Sequence, residues 1–357
     1  MAGSTAIDSA RLEAFLGQAL ADVGGLLTAA LVVIGDKLGL YRALATAGPA
    51  TSQELAARTG TTERYVREWL VNQAASGYLT YDAASGRYSL PPEQTVALTD
   101  SASPFFVAGA YQVALAMARA TPRLVEAFRR GDGMTWGEHD PELFEGTERF
   151  FRPGYAAQLT TSWLPALEGM VPKLERGAVV VDVGCGHGAS TLIMARAYPR
   201  SRFIGFDAHA PSIERARAAA AEAGLEDRVR FEVATAQTFP GDRYDLIAFF
   251  DCLHDMGDPR GAARHAYETL APDGAVLLVE PMAGQTVEDN FNPVGRIYAG
   301  ASVLCCTANA MATGSPATAL GTLATDEALR DVFTAAGFTR FRRACETPFN
   351  RIFEARK

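Results

Sequence analysis

The chain has 357 residues, of which 48% are hydrophobic and 21% are charged, and its formal net charge is −8 at pH 7. A chain of this length is expected to form about two domains, and this composition excludes an intrinsically disordered protein. The acidic balance also argues against a general binder of polyanions.

The five cysteines form no C-x-x-C pair and no zinc-binding spacing with histidine, so we expect no metal site. Unpaired cysteines are typical of reduced proteins of the cytoplasm. The start of the sequence lacks the charged residue and apolar run of a signal peptide, because residues 4–10 are polar overall. We therefore expect a cytoplasmic protein.

The longest uncharged apolar run near the N-terminus, residues 23–35, is too short to span a bilayer. We expect no membrane partner and assign the run to a core or dimer-interface helix. Two helices are predicted in this region, an amphipathic one over residues 7–20 and a strongly apolar one over residues 26–44.

Residues 51–90 have the pattern of a helix, a turn, a second helix and a hairpin. Residues 51–60 begin with a capping box and end at a glycine, and residues 61–75 carry apolar side chains on one face. Residues 77–90 are typical of a hairpin that turns at Ser85 and Gly86. The pattern predicts a winged helix within an otherwise helical domain over residues 1–100.

A winged helix can bind DNA, so the charges of this domain bear on its function. Between Gly25 and Asp100 there are six basic and seven acidic residues. Binding to DNA requires several phosphate contacts from one basic face. We therefore expect no nucleic acid partner, and a cofactor-sensing regulator that acts on DNA is the alternative from another functional class.

Residues 101–170 are predicted to form a mostly helical connector, interrupted over residues 131–155 by a stretch that is irregular, aromatic and charged. Functional residues concentrate on such loops. The candidates for contact with a small molecule are Trp136, His139, Phe144, Phe150, Phe151 and Tyr155. Packing in the core is an equally good explanation for any one of them.

Residues 179–190 read VVVDVGCGHGAS, a buried strand that ends in three glycines at alternate positions. Glycine accepts positive φ and has no Cβ, so Gly184, Gly186 and Gly188 let the backbone turn tightly and approach a ligand closely. A helix follows, and a second strand over residues 202–206 delivers Asp207, whose carboxylate can accept both hydroxyls of a ribose. A dehydrogenase would have its third glycine one residue later.

The loop from Asp182 to Gly188 resembles the (D/E)-x-G-x-G-x-G motif of class I S-adenosylmethionine-dependent methyltransferases. The resemblance implies S-adenosylmethionine as cofactor, held by the loop, Asp182 and Asp207. The implied fold is α/β, a Rossmann-like seven-stranded methyltransferase sheet over residues 171–357. Two final strands, over residues 338–344 and 350–355, are predicted to form an edge hairpin that the dehydrogenase fold lacks.

The winged helix and the connector resemble those of small-molecule methyltransferases. In that branch the N-terminal domain pairs two subunits, which implies a homodimer, and the connector lines the acceptor pocket. Trp136, His139, Phe151 and Tyr155 are therefore the principal candidates for acceptor contact in the connector.

The third and fourth strands of the sheet, over residues 228–233 and 244–250, end beside the expected cofactor pocket. In the family an acid just after the third strand contacts adenine, but here the sequence has Thr235, which offers a weaker hydroxyl contact unless the backbone serves instead. Phe250 and Asp251 end the fourth strand, where strand termini face the ligand crevice. They are further candidates for cofactor binding.

His254 follows the fourth strand, and an imidazole can accept a proton at neutral pH. A fifth strand over residues 274–280 ends in Glu280, and a carboxylate can fix the tautomer of an imidazole. These residues resemble the L/C-H-D-W and V-E motifs of winged-helix O-methyltransferases, which implies His254 as general base and Glu280 as its partner. A structural histidine is the alternative, and the second glutamate of the family has no match near residues 321–325.

A helix over residues 292–311 is predicted after the fifth strand, where the family closes its acceptor pocket. Tyr298 and Ser302 are its candidate contacts. The expected reaction is methyl transfer to a hydroxyl of a small, partly aromatic or apolar molecule, and a carbon or nitrogen acceptor is the alternative.

Overall fold

The structure is a computed structural model that describes residues 7–357. The chain divides into two compact units, the first ending at Leu115 and the second formed by Ala116–Lys357. The elements of the first unit are α1 Ser9–Lys37, α2 Leu40–Ala47, α3 Ser52–Thr59, α4 Glu63–Ala75, β1 Thr80–Asp82, β2 Arg87–Ser89, α5 Pro92–Thr99 and most of α6 Ala108–Ala118.

The prediction of two helices before residue 45 with a break between residues 20 and 26 is wrong, because α1 is one continuous helix. Gly24 and Gly25 cost the helix about 1 kcal/mol each relative to alanine, which lowers its stability without breaking it. The chain instead breaks at Gly39, whose φ of 70° is left-handed. At Gly35 a Cβ would lie 2.5 Å from the Trp69 ring, so glycine permits close packing of α1 on α4.

Much of the apolar surface of α1 is exposed. The side chains that share this exposure are Leu12, Phe15, Leu16, Leu20, Val23, Leu26, Leu27 and Ile34. Helix α1 is longer than the apolar run of residues 23–35, which is too short to span a bilayer. By length and composition alone α1 could cross a membrane, with a mean hydropathy of 1.7 over its best 18-residue window.

The winged helix is confirmed. Thr51 and Glu54 form the predicted capping box, and β1 and β2 pair antiparallel around a turn in which Gly86 has a φ of 66°. The arginines of this unit are engaged within it: Arg64 and Arg67 pair with acids one helical turn away on α4, and Arg87 binds Glu54.

The second unit contains a seven-stranded sheet with helices around it. Its strands are β3 Val179–Val183, β4 Arg202–Asp207, β5 Val229–Val233, β6 Tyr244–Phe250, β7 Leu270–Pro281, β8 Arg340–Glu346 and β9 Asn350–Arg356. Its helices are α7 Thr121–Arg130, α8 Glu142–Gln158, α9 Met170–Arg176, α10 Ala189–Ala197, α11 Ala210–Glu222, α12 Pro259–Thr269, α13 Pro293–Ala301, α14 Thr307–Thr313 and α15 Asp326–Ala336.

The strand order is β5-β4-β3-β6-β7-β9-β8. The first five strands are parallel to one another, and β9 is antiparallel to both β7 and β8. The seven-stranded methyltransferase sheet with its edge hairpin is therefore confirmed, and the order reverses at β3, where the glycine loop begins. Ligands of such sheets bind at this reversal, beyond the carboxyl ends of the strands.

The sheet is buried on both faces. Val180 packs into the core on one face and Val181 into the core on the other, because successive side chains of a strand point in opposite directions. Both faces of a parallel strand must then be apolar, which is why β3 is nearly all valine.

The connector is more regular than predicted. Residues 142–158 form α8, although Pro153 lies inside it. The sequence contained the start signal, since the Asp140 side chain accepts the amide of Glu142 just after Pro141. The predicted helix over residues 292–311 agrees with the structure to within two residues, and a π-helical turn at Ser302–Cys306 joins its two parts, α13 and α14.

Candidate active site

A cavity of about 640 Å³ lies at the carboxyl ends of β3, β4 and β6 in the second unit. Its wall is formed by the glycine loop, by the residues that follow β4, β5 and β6, and by α8. Ten of the residues predicted from the sequence line it: Trp136, Phe144, Phe151, Tyr155, Gly184, Gly186, Asp207, Thr235, Phe250 and Asp251.

The three glycines of the loop have left-handed φ values of 72°, 52° and 80°, but they serve different purposes. A Cβ on Gly188 would lie 2.4 Å from the buried Phe231 ring, and one on Gly184 would lie 2.8 Å from Cys252 Sγ. A Cβ on Gly186 would meet no atom within 4 Å. Gly186 therefore leaves room for a ligand, whereas Gly188, which does not line the cavity, permits close packing.

Asp207 holds the glycine loop to the end of β4. One carboxylate oxygen accepts the amide of Gly186 at 2.8 Å and the other accepts the amide of His209 at 2.8 Å. Each oxygen of a carboxylate has a second lone pair, so the group can still accept two hydroxyls. Burial raises the pKa of this carboxyl above its usual value.

Asp182 does not line the cavity. One of its oxygens accepts the hydroxyls of Ser190 and Thr191 at 2.6 Å each, which fixes the start of α10 beneath the loop. The other oxygen is buried without a hydrogen-bond partner among the described residues. Burial raises the pKa of the Asp182 carboxyl to about 6. The hydrogen bonds of Asp182 are thus made to Ser190 and Thr191 of the protein, not to the cavity.

Thr235 lies on the exposed rim of the cavity, with its hydroxyl bound to Thr238. Gln237, two residues further on, also lines the cavity and donates its amide hydrogen to the Asp258 carbonyl. Its carbonyl oxygen is left as an acceptor beyond β5. Sequence reasoning missed Gln237 because it considered only the position that the family motif occupies.

Asp251 lies at the end of β6 with a φ of 50°, which is unusual for a residue with a side chain. Its two oxygens accept the Tyr155 hydroxyl and the Asn350 amide, both at 2.8 Å. Burial, assisted by the Glu280 carboxylate, raises its pKa to about 7. Strain of this kind is common where a side chain is aimed into a site.

His254 and Glu280 are brought together as predicted, with 2.6 Å between His254 Nδ1 and Glu280 Oε2. Both side chains are buried, and neither residue lines the cavity. The imidazole also interacts with the Cys306 thiol from the π-helical turn. Burial opposes protonation of the ring, but Glu280 and Cys306 outweigh it and raise the pKa of His254 well above its usual value.

Three further candidates lie away from the cavity. His139 is buried with neither ring nitrogen bonded to a described residue. Tyr298 donates to the Phe349 carbonyl, and Ser302 binds Thr307 and the amide of Thr322. Each of these side chains packs within the protein, which is the alternative that the sequence left open.

The aromatic wall comes from the connector. The Phe144 ring packs against Trp136 at 5.5 Å and against His209 at 4.6 Å between centroids, and Phe151 stacks on Tyr155 at 5.7 Å. All five residues line the cavity.

Sequence reasoning assigned no role to several polar groups of the wall. Glu148 on α8 binds His187 of the glycine loop at 2.9 Å. Asn309 on α14 accepts the amide of Trp136 and donates to the Asp255 carbonyl, both at 2.8 Å. Asp255, which follows His254 in the motif after β6, also lines the cavity. The contacts of Glu148, His187 and Asn309 depend on the tertiary fold, so no local pattern could have identified them.

Relatives with known names share parts of this chain. A probable chloroplastic tocopherol O-methyltransferase of Oryza sativa subsp. japonica is 30% identical over 181 residues, which are 45% of this chain and 48% of that protein. The chain thus spans about half the length of the curated relatives it matches.

Solved structures share the fold over nearly the whole chain. The mitomycin 7-O-methyltransferase superposes with a TM-score of 0.71 and 20% identity, covering 98% of this chain and 100% of that one. Human N-acetylserotonin methyltransferase, solved in complex with S-adenosylmethionine, also gives 0.71 at 20% identity and covers 99% of both chains.

Two family descriptions match the sequence. Residues 27–100 match the Rv2258c-like winged HTH domain, which covers the winged helix described above. Residues 155–340, more than half of the chain, match the methyltransferase domain. The chain therefore belongs to the methyltransferase family, with S-adenosylmethionine as the cofactor of its fold and a winged helix at its N-terminal side.

Proposed function

We propose that this protein transfers a methyl group from S-adenosylmethionine to a hydroxyl oxygen of a small, partly aromatic molecule. The observation that carries the proposal is the glycine loop, which opens at Gly186 onto a cavity bordered by Asp207 and by an aromatic wall. Hydroxyl oxygen is favoured over carbon or nitrogen because tocopherol and mitomycin 7-O-methyltransferases are among the proteins it resembles.

The residues present fit this cofactor. Gly186 provides space where a Cβ would intrude, and the Asp207 carboxylate retains lone pairs for the two ribose hydroxyls. Thr235 and Gln237 offer polar atoms for adenine at the rim. When bound, the cofactor supplies an electrophilic methyl on a positively charged sulfur.

The protein then has to position the acceptor and exclude water, because alignment of the reacting atoms supplies much of the rate. The rings of Trp136, Phe144 and Phe151 form an apolar wall on which an aromatic acceptor can pack. Tyr155 and Asn350 fix the Asp251 carboxylate at the end of β6. The ionised form of Asp251 is favoured when a cation lies beside it.

Calorimetric titration of the protein with S-adenosylmethionine and S-adenosylhomocysteine tests the cofactor. We expect saturable binding that Asp207→Ala abolishes and that Asp242→Ala preserves, since Asp242 is exposed and outside the cavity. Absence of binding to the folded wild-type protein would refute the assignment. Mass analysis of the products from phenols, amines and activated carbon acids then distinguishes oxygen from nitrogen or carbon as the acceptor.

We also infer that the protein is a cytoplasmic homodimer that does not act on DNA. The exposed apolar side chains of α1 support pairing of two copies, and the arginine–acid pairs of the winged helix leave it without a basic face for phosphates. Analytical ultracentrifugation of wild type and of a Phe15→Glu, Leu20→Glu variant tests the dimer, which the variant should dissociate. Salt-dependent binding to duplex DNA would instead support a regulator, and recovery in the membrane fraction would contradict the location.

A further inference from the structure

A fully buried arginine, Arg351 on β9, lies beside the pair formed by His254 and Glu280. It is directly opposite Glu280 on β7 in the antiparallel register, so the two side chains project from the same face of the sheet. We propose that Arg351, held by Asp326, is a positioning residue for this pair and sets how tightly His254 holds a proton. This inference rests on the proposed transfer to a hydroxyl, for which the pair is the expected base.

The hydrogen bonds of Arg351 fix the strand end that carries Glu280. Its Nε donates to the carbonyl of Pro281, the residue after Glu280, at 2.8 Å, and its Nη1 donates to Asp326 Oδ1 at 2.8 Å. Asp326 begins α15, and Arg343 binds the same carboxylate through two nitrogens. Arg351 therefore joins the end of β7 to the start of α15.

Two buried atoms of the charged groups in this region have no hydrogen-bond partner among residues 7–357: Arg351 Nη2 and Glu280 Oε1. Burial lowers the pKa of Arg351, and the carboxylates of Asp326 and Glu280 oppose this decrease. A charge in the protein interior is costly unless an opposite charge lies near it. The negative charge of Glu280 thus acts on two groups, the imidazole that it binds and the guanidinium of Arg351.

The charge of the His254 ring depends on groups from several elements. They are Glu280 from β7, Cys306 from the π-helical turn, and Asp251 and Asp255 from the segment after β6. Burial lowers the pKa of His254, but Glu280 and Cys306 outweigh this effect and raise it well above its usual value. The acids all favour a proton on the ring, and the positive charge of Arg351, acting beside Glu280, opposes them.

A base has to take up the hydroxyl proton and then release it. As the acceptor oxygen forms its bond to the methyl carbon, its proton passes to His254, and the electron pair of the broken carbon–sulfur bond stays on sulfur. His254 then gives the proton to water before the next cycle. A base that holds its proton too tightly is a poor acceptor at neutral pH. Arg351 weakens that hold, and Asp326 limits the effect by offsetting part of the arginine charge.

The first experiment needs neither cofactor nor acceptor. Histidine rings labelled with ¹⁵N are titrated by NMR, and the signal of His254 is assigned with His254→Gln. We expect Arg351→Met to raise the pKa of His254, because loss of a positive charge favours the imidazolium, and Asp326→Asn to lower it, because loss of a negative charge disfavours the imidazolium. Each change should be about one pH unit, as for a unit charge about 10 Å away in a partly buried site.

The opposite signs distinguish a charge effect from general damage to the fold. Arg351→Lys keeps the charge and should leave the His254 titration near that of the wild type, and Arg340→Met, which removes an exposed charge of β8, is the matched control. If Arg351→Met does not fold, Arg343→Met removes a positive charge from the same carboxylate and should also raise the pKa of His254. An unchanged titration, or shifts of the same sign in the arginine and aspartate variants, overturns the proposal.

The second experiment measures pH–rate profiles with S-adenosylmethionine and a panel of phenols, by release of S-adenosylhomocysteine. The rise in rate should move to higher pH in Arg351→Met and to lower pH in Asp326→Asn. An unshifted rate profile beside shifted NMR titrations would overturn the link between the pair and the reaction. If the wild type binds cofactor but methylates no phenol, the proposed transfer to such a hydroxyl fails, and the NMR titration still decides whether Arg351 sets the charge of His254.

Discussion

The different roles of Gly186 and Gly188 give a quantitative prediction. In both positions an alanine must adopt a left-handed backbone, at a cost of about 1–2 kcal/mol. At Gly188 the new Cβ would also lie 2.4 Å from the buried ring of Phe231, which already packs closely against Gly205. Overpacking of this kind adds about 1–3 kcal/mol, so Gly188→Ala should lower the free energy of unfolding by about 2–5 kcal/mol.

Gly186→Ala should cost only the backbone term of about 1–2 kcal/mol, because its Cβ meets no protein atom within 4 Å. The methyl group instead enters space that the cofactor needs, and affinity for S-adenosylhomocysteine should fall at least about tenfold, which corresponds to about 1.4 kcal/mol. Urea unfolding measures the stabilities and calorimetry measures the affinities. Equal losses of stability in Gly186→Ala and Gly188→Ala, or unchanged affinity in Gly186→Ala, would refute the proposal that Gly188 permits packing and Gly186 makes room for the ligand.

Two further predictions follow from buried charges. Asp326 accepts hydrogen bonds from Arg343 and from the fully buried Arg351, so Asp326→Ala should destabilise the protein by about 3–5 kcal/mol. Asp331→Ala on the exposed side of the same helix should change stability by less than about 0.5 kcal/mol, and similar thermal unfolding of the two variants would contradict the role of the pair. Burial raises the pKa of Asp207, and only the ionised carboxylate accepts two hydroxyls. On acidification, affinity for S-adenosylhomocysteine should therefore begin to fall at a higher pH than an ordinary aspartate would give. Calorimetry across acidic pH measures this affinity, and a loss only below the usual aspartate range would argue against the ribose contact.

Local patterns predicted the elements whose signals lie within a few residues. The capping box at Thr51, the turn at Gly86 and the valine-rich strand before Gly184 were all confirmed. The prediction failed over α1, which is one continuous helix through Gly24 and Gly25, and over residues 142–155, which belong to α8 rather than to an irregular stretch. Cooperative helical hydrogen bonding outweighs a cost of about 1 kcal/mol for a single glycine.

The residues of the candidate site also differ in how far a local signal could place them. The positions of Gly186 and Asp207 at the cavity could be predicted because a strand end and the following loop fix their place in any sheet of this kind. The side chains of Tyr298 and Ser302 could not be placed, since which face of a helix meets the cavity depends on packing against the rest of the unit.

The sequence alone determined the class of fold and the cofactor loop, because each depends on short-range spacing or on strand order. The pairing of His254 with Glu280 was implied by the resemblance to winged-helix O-methyltransferases. Only the tertiary structure decided which groups reach the cavity. The π-helical turn brings Cys306 against His254, while Asn309 holds the Asp255 backbone beside the aromatic wall. Access to a cavity is set by residues far apart in the chain, and for that reason no spacing in the sequence specifies it.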